Sequence, residues 1–271
     1  MTCTICILAP VFPDLLYVKH LILGFFPVTC DQWWYFTAYS GLFFLAPWLN
    51  HFIRNLSEKE MTQFVGILLG IFSMYPTIAS LYKEPFNLNE GYSMIWLIIM
   101  YLVGAWLRKN SMIEKMNTRK WLVIGWVCFL GTWITKLFFE LQGNSKILFL
   151  QSYISPTIIC IAIVHLMLFS KLKITSKSKK WISFFSPAAF GVYLLHMQWD
   201  ILDNLITGNF SFIGQLPVWQ IPPAILACAL IITTMGLLID KVRGKLFEVL
   251  KIRNLAHNIE IKMREKIINR F

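Results

Sequence analysis

The sequence predicts an all-α, polytopic membrane helix bundle. About seven transmembrane helices are expected, with a partial N-terminal segment before them and an amphipathic helix after them. Three observations carry this. Of 271 residues, 57% are apolar and 14% charged, where soluble domains average about 45–50% and about 25%. The apolar residues form separate blocks near bilayer length, about 20 residues each. The charges, 25 basic against 14 acidic for a net +11, gather between those blocks. A disordered chain, a disulfide-rich secreted domain and a porin-type barrel are excluded.

The first thirty residues are apolar but interrupted by Pro10, Pro13, Asp14, Lys19 and His20. They lack the basic start of a signal peptide and read as the remnant of a span followed by a re-entrant piece. Spans then fall at 33–51, 62–82, 92–107, 121–139, 149–170, 184–201 and 217–239. Each must be helical, because an isolated open strand leaves its backbone unsatisfied in lipid. The 92–107 block is short and reaches bilayer length only if Arg108 snorkels to the interface.

The intervening segments alternate in charge. Arg54 and Lys59 mark the first connection; Arg108, Lys109, Lys115, Arg119 and Lys120 mark the third; Lys171, Lys173, Lys177, Lys179 and Lys180 mark the fifth. Segments 83–91, 140–148 and 200–216 hold at most one Lys each. The positive-inside rule then puts the basic set and the C-terminus in the cytoplasm. In the tail, Val249, Ile252, Ala256, Ile259, Met263 and Ile267 recur at helical spacing among Lys and Arg. That is an amphipathic helix on the inner leaflet, with a partner helix as the rival reading. The chain divides into a transmembrane domain, 1–240, and a basic cytoplasmic tail, 241–271.

The basic excess therefore reads as topology and headgroup contact, with the lipid bilayer as partner and no nucleic acid. Six scattered cysteines, Cys3 and Cys6 among them, read as small buried hydrophobes and not as metal ligands. No metal is expected. No Walker loop, GxSxG, HExxH or dinucleotide fingerprint occurs, so the informative residues are polar groups inside spans, which are costly in hydrocarbon. The first span opens with Trp33, Trp34 and Tyr35, and carries Tyr39 deeper. Trp33 reads as an aromatic belt residue at the interface. Tyr193 and His196 stand three apart, on one face of the sixth span. His196 suits either a structural hydrogen bond or binding and proton transfer. His165 stands alone in an apolar run and reads as structural.

Five stretches, YFTAYSGLFFLAPWLN (35–50), MIWLIIMYLVGAWLRK (94–109), YISP (153–156), AFGVYLLH (189–196) and LLIDKVR (237–243), resemble the acyltransferase-3 family. The resemblance runs through nearly the whole chain in order. It implies a bacterial inner-membrane, multi-pass enzyme that moves an acyl group, in the first instance acetyl, from acetyl-CoA or another acyl-CoA to a cell-surface carbohydrate. No tightly bound cofactor is implied. On this reading Arg108, Lys109 and Arg243 meet the donor's phosphates from the cytoplasm. Trp34, Tyr39 and Tyr193 contact the acceptor outside, and His196 assists catalysis.

The family also carries an Arg or Lys, ten residues, then a His held to be catalytic. Here the positions eleven before the five histidines are Ala9, Ser40, Ile154, Phe185 and Leu246. None is basic. The chain thus resembles the C-terminal part of such an enzyme, lacking about three N-terminal spans, and is expected to be inactive by itself. A transporter or flippase of a glycan, and a non-catalytic membrane scaffold, are the alternatives.

Overall fold

The computed structural model describes residues 33–81, 85–144, 147–197 and 206–252, with isolated positions on either side. Among them the chain is helical, joined by turns and short 3-10 segments, with no strand. It separates into two compact units. One is Trp34–Lys173; the other comprises the residues before and after it.

The first unit opens with α1, Trp34–Asn55. Helix α2, Glu58–Ala79, begins with a capping box: the Ser57 hydroxyl accepts from the Glu60 amide at 3.2 Å, and Glu60 accepts from the Ser57 amide at 2.7 Å. Two of the orphan donors at the helix start are met reciprocally. Partway along, Gly70–Met74 widens into a π turn before the helix resumes as Tyr75–Ala79. Helix α3, Met94–Lys109, is capped by Ser93; α4, Thr118–Leu141, is capped by Asn117. Helix α5, Pro156–Ser170, starts with proline in its first turn, where no amide donor is lost. The core is built from Met61 and Val65 of α2, Trp96, Ile99, Val103 and Leu107 of α3, and Ile159, Val164 and Met167 of α5.

Close approach within this unit depends on small residues, as in lipid-embedded bundles generally. A side chain at Gly41 of α1 would overlap Met94 of α3, and Gly125 of α4 lies against Val164 of α5. The α1–α3 pair is also tied by a bond from the Tyr101 hydroxyl to Asn50 Oδ1 at 2.8 Å.

The second unit contains α6, Ser176–Phe185; α7, Ala189–His196; and α8, Ile221–Val249. Gly191 and Gly236 bring α7 and α8 together: a β-carbon at Gly191 would collide with the Asp240 carboxylate, and one at Gly236 would press on Val192.

Among the described residues three helices are long and apolar enough to cross a membrane: Glu58–Ala79, Thr118–Leu141 and Val218–Val249. Seven were expected, and the difference has local causes. The 149–170 block loses its first residues to turns, leaving the 15-residue α5. The 184–201 block is divided at Ser186–Ala188, a 3-10 turn containing Pro187, so that α7 has eight residues. Helix α3 has sixteen. Helix α1 has the length but spends it on Asn50, His51 and Arg54.

One further expectation needs correction. Trp33 is not an exposed belt residue. It is 3% exposed, and its Nε1 donates to the Leu194 carbonyl at 3.1 Å, so the indole's polar tip finds protein instead of headgroups. The boundary at 240/241 falls inside the continuous helix α8. The partial N-terminal segment and most of the amphipathic tail lie outside the described residues.

Candidate functional site

In the first unit, Trp34 and Tyr39 stand on the opening turns of α1. The Trp34 ring meets Tyr92 edge-on, with centroids 4.6 Å apart, and Tyr92 meets Tyr153 in the same way at 5.1 Å. Tyr39 stacks on Tyr35 at 6.1 Å and is 45% exposed. The result is a run of rings with hydroxyl and indole tips, suited to an amphipathic partner. Tyr92 lies before α3.

In the second unit, Tyr193 and His196 share a face of α7 as the spacing predicts, with ring centroids 6.0 Å apart. His196 Nδ1 donates to the Val192 carbonyl at 2.8 Å. That bond fixes which nitrogen carries the proton in the neutral ring, and leaves Nε2 as the basic edge. His165 is held similarly, by Ile161 at 2.8 Å, on the wall of an apolar groove with Gly125 and Val164.

The expected donor-side cations are placed differently from one another. Arg108 is exposed at the end of α3. Lys109 turns back onto α1, where its Nζ donates to the Ile53 carbonyl at 2.8 Å and to the Leu56 carbonyl. It satisfies carbonyls that the end of a helix leaves open. Arg243 is paired with Asp240 one turn earlier on α8, through Nη2 at 2.6 Å and Nε at 2.8 Å. Arg108 and Lys109 belong to the first unit, Arg243 to the second.

A site the sequence reading missed lies where α2, the 85–93 loop and the start of α5 meet. A cavity of about 190 Å³ is lined by Thr77, Ser80, Glu90, Ile147, Leu148, Ser152, Ile154 and Ser155. Ser73 of the π turn donates to the carbonyl of Ile154, one of the lining residues. The loops that carry its lining residues are irregular: Phe86, Asn87, Asn89, Glu90 and Leu150 all have positive φ, as does Gly91 at 101°. Left-handed conformations in ordinary residues cost roughly 1–3 kcal/mol each and persist where surrounding structure holds them. Gly91 is required twice, by its φ and because a β-carbon would stand 2.6 Å from that of Tyr153. Ser155 precedes α5 in the capping position, yet its hydroxyl makes no cap bond and is buried without a partner. The signal available in the sequence was a serine or threonine at each adjoining helix end, Thr77, Ser80, Ser152 and Ser155, around a single Glu90. No group of three or more His, Cys, Asp or Glu able to hold a metal occurs among the described residues.

The acyltransferase-3 family model, described as an acyltransferase domain, matches residues 2–239. No curated protein and no solved structure matches the chain.

Proposed function

The chain belongs to the acyltransferase-3 family, and from that premise we propose that it takes part in O-acyl transfer across a bacterial inner membrane. The acyl group, acetyl in the first instance, comes from acyl-CoA on the cytoplasmic side and goes to a hydroxyl of a cell-surface carbohydrate outside. The observation carrying this reading is the family match over most of a chain whose described part is apolar helix. The alternation of Lys and Arg supports a cytoplasmic C-terminus with the ends near Trp34, Tyr92 and Tyr153 outside.

The roles divide as follows. Exposed Arg108 is the cation in this group best placed to meet donor phosphates, since Lys109 and Arg243 already have partners. The rings at Trp34 and Tyr39 present apolar faces and polar tips to a sugar. His196, with Nδ1 donating to its own helix, offers Nε2 as a proton acceptor. General-base catalysis requires that nitrogen within hydrogen-bond reach of the attacking hydroxyl. No basic residue precedes a His by eleven positions here, so the chief base is proposed to come from outside these 271 residues.

The test supplies that base. Membranes containing the chain, alone or co-expressed with the first three spans of a family member that carries the basic–ten–His pattern, receive labelled acetyl-CoA. Label in the surface glycan is expected with the added spans and not without them. No label in either case would overturn the reading.

A further inference from the structure

We propose that α6 and the basic end of α8 form a binding site for one anionic phospholipid. Its headgroup lies on Lys177, Lys180 and Lys241, and an acyl chain lies in the groove beside α7. Helix α6 has ten residues, too few to cross a bilayer, and none of them is buried. At about 100° per residue, Trp181, Ile182, Phe184 and Phe185 fall on one side of it, and Ser176, Lys179, Lys180 and Ser183 on the other. Lys177 and Lys180 precede Phe184 by seven and four positions, so the three line up along one flank. The Lys241 ammonium of α8 stands over the Phe184 ring, 4.0 Å from its centroid, and adds a third cation to that row. Next to the row, Trp181 stacks on Phe185 with centroids 5.8 Å apart. Phe185 and Ile182 in turn wall an open, mostly apolar groove of about 350 Å³, completed by Ala189 and Val192 of α7 and by Thr233 and Leu237 of α8.

The charge of this row is uncompensated within the protein. No acidic residue stands in the first turn of α6. Among the described residues none of Lys177, Lys180 and Lys241 has an ion pair, and Asp240, beside Lys241, is held by Arg243. Like charges three positions apart on a helix repel, and an anion lying along the row relieves that repulsion. The apolar half decides which anion. Trp181, Ile182 and Phe184 are each more than half exposed, and a water-borne phosphate would leave all three without a partner. A phospholipid covers them with its chain while its headgroup meets the ammoniums, which lysine stems carry up to headgroup level. A zwitterionic headgroup brings no net charge to an unbalanced cluster, so the occupant is a net anion of the phosphatidylglycerol kind. The break at Ser186–Ala188 lets α6 end before α7 begins, so the row need not follow α7 through the bilayer. None of this depends on acyl transfer.

The experiment is native mass spectrometry of the purified full chain, stripped of lipid in detergent and titrated separately with phosphatidylglycerol, phosphatidylcholine and inorganic phosphate. Phosphatidylglycerol should bind about 100-fold more tightly than phosphatidylcholine, the scale of three lysines at a membrane surface. Lys177→Gln and Lys180→Gln should each weaken phosphatidylglycerol about fivefold and leave phosphatidylcholine unchanged. Both lysines are exposed, so neither substitution threatens the fold. Trp181→Ala should weaken both lipids alike, because it removes apolar contact and no charge. Lys120→Gln, in the first turn of α4, should leave phosphatidylglycerol binding as it is. Equal affinity for the two lipids would overturn the site, as would phosphate bound as tightly as phosphatidylglycerol. A loss in Lys120→Gln equal to that in Lys177→Gln would also overturn it, since the attraction would then belong to the whole basic surface. Label in the membrane assay, present or absent, bears on none of these outcomes.

Discussion

Lys109 Nζ donates to the carbonyl of Ile53 at 2.8 Å, joining the last turn of α3 to the last turn of α1. A cation expected to serve a ligand's phosphate is engaged with the peptide backbone. The two duties separate by experiment. Lys109→Met should lower stability in detergent by about 1–2 kcal/mol, the scale of a charged hydrogen bond at a helix C-terminus. Arg108→Met should leave the melting temperature unchanged and raise KM for acyl-CoA. Thermal melting beside acyl-CoA titration checks both, and a KM effect confined to Lys109 would reverse the assignment.

The second prediction concerns Gly191, whose missing side chain makes room for Asp240. Gly191→Ala would drive a methyl into that carboxylate and displace it from Arg243. A loss of about 1–3 kcal/mol is expected, as for other overpacked sites. Gly104→Ala has open space around it and should cost nothing. Paired melting curves of the two variants decide, and equal curves would mean that α7 and α8 do not depend on this contact.

A third prediction addresses topology. Reporters fused after Ser211 and after Phe271 should report opposite sides of the membrane, because basic residues accumulate after α8 and are absent from 200–216. Identical readings at both positions would remove the orientation on which the acceptor and donor sides are assigned.

The fourth concerns His196. In the complemented transfer assay, His196→Ala should reduce kcat by up to about 100-fold, the lower end of acid–base contributions. His165→Ala should have no effect on turnover, since His165 sits in an apolar groove with its Nδ1 bonded to Ile161. Equal losses in both variants would show that His196 is structural.

How much was legible in the sequence follows from what kind of signal each feature leaves. Thr118–Leu141 and Val218–Val249 announce themselves by composition alone, since lipid demands an uninterrupted apolar helix. The start of the 149–170 block did not, because apolar residues such as Phe149 and Leu150 look the same in a turn as in a span. Tyr193 and His196 were found together, because a three-residue spacing fixes a shared face. Trp33 was misplaced: an indole near an interface has two ways to satisfy its N–H, and only tertiary structure reveals that Leu194 supplies the acceptor. The cavity around Ser155 was invisible for a related reason. Its hydroxyl residues are individually ordinary, and what sets them apart is where their protons point.

The π turn at Gly70–Met74 has a consequence of phase. An α-helix advances about 100° with each residue, and a single π turn accommodates one extra residue within it. Deleting one residue between 70 and 74 would let α2 close as plain α-helix, with its core face of Met61 and Val65 untouched. The outer turn carrying Thr77 and Ser80 would keep its facing as well, whereas closing the turn as plain α-helix without a deletion would rotate Thr77 and Ser80 by about 100° away from the cavity wall. The extra residue is therefore a vernier between two requirements on one helix, a packing register on one side of it and a polar register on the other.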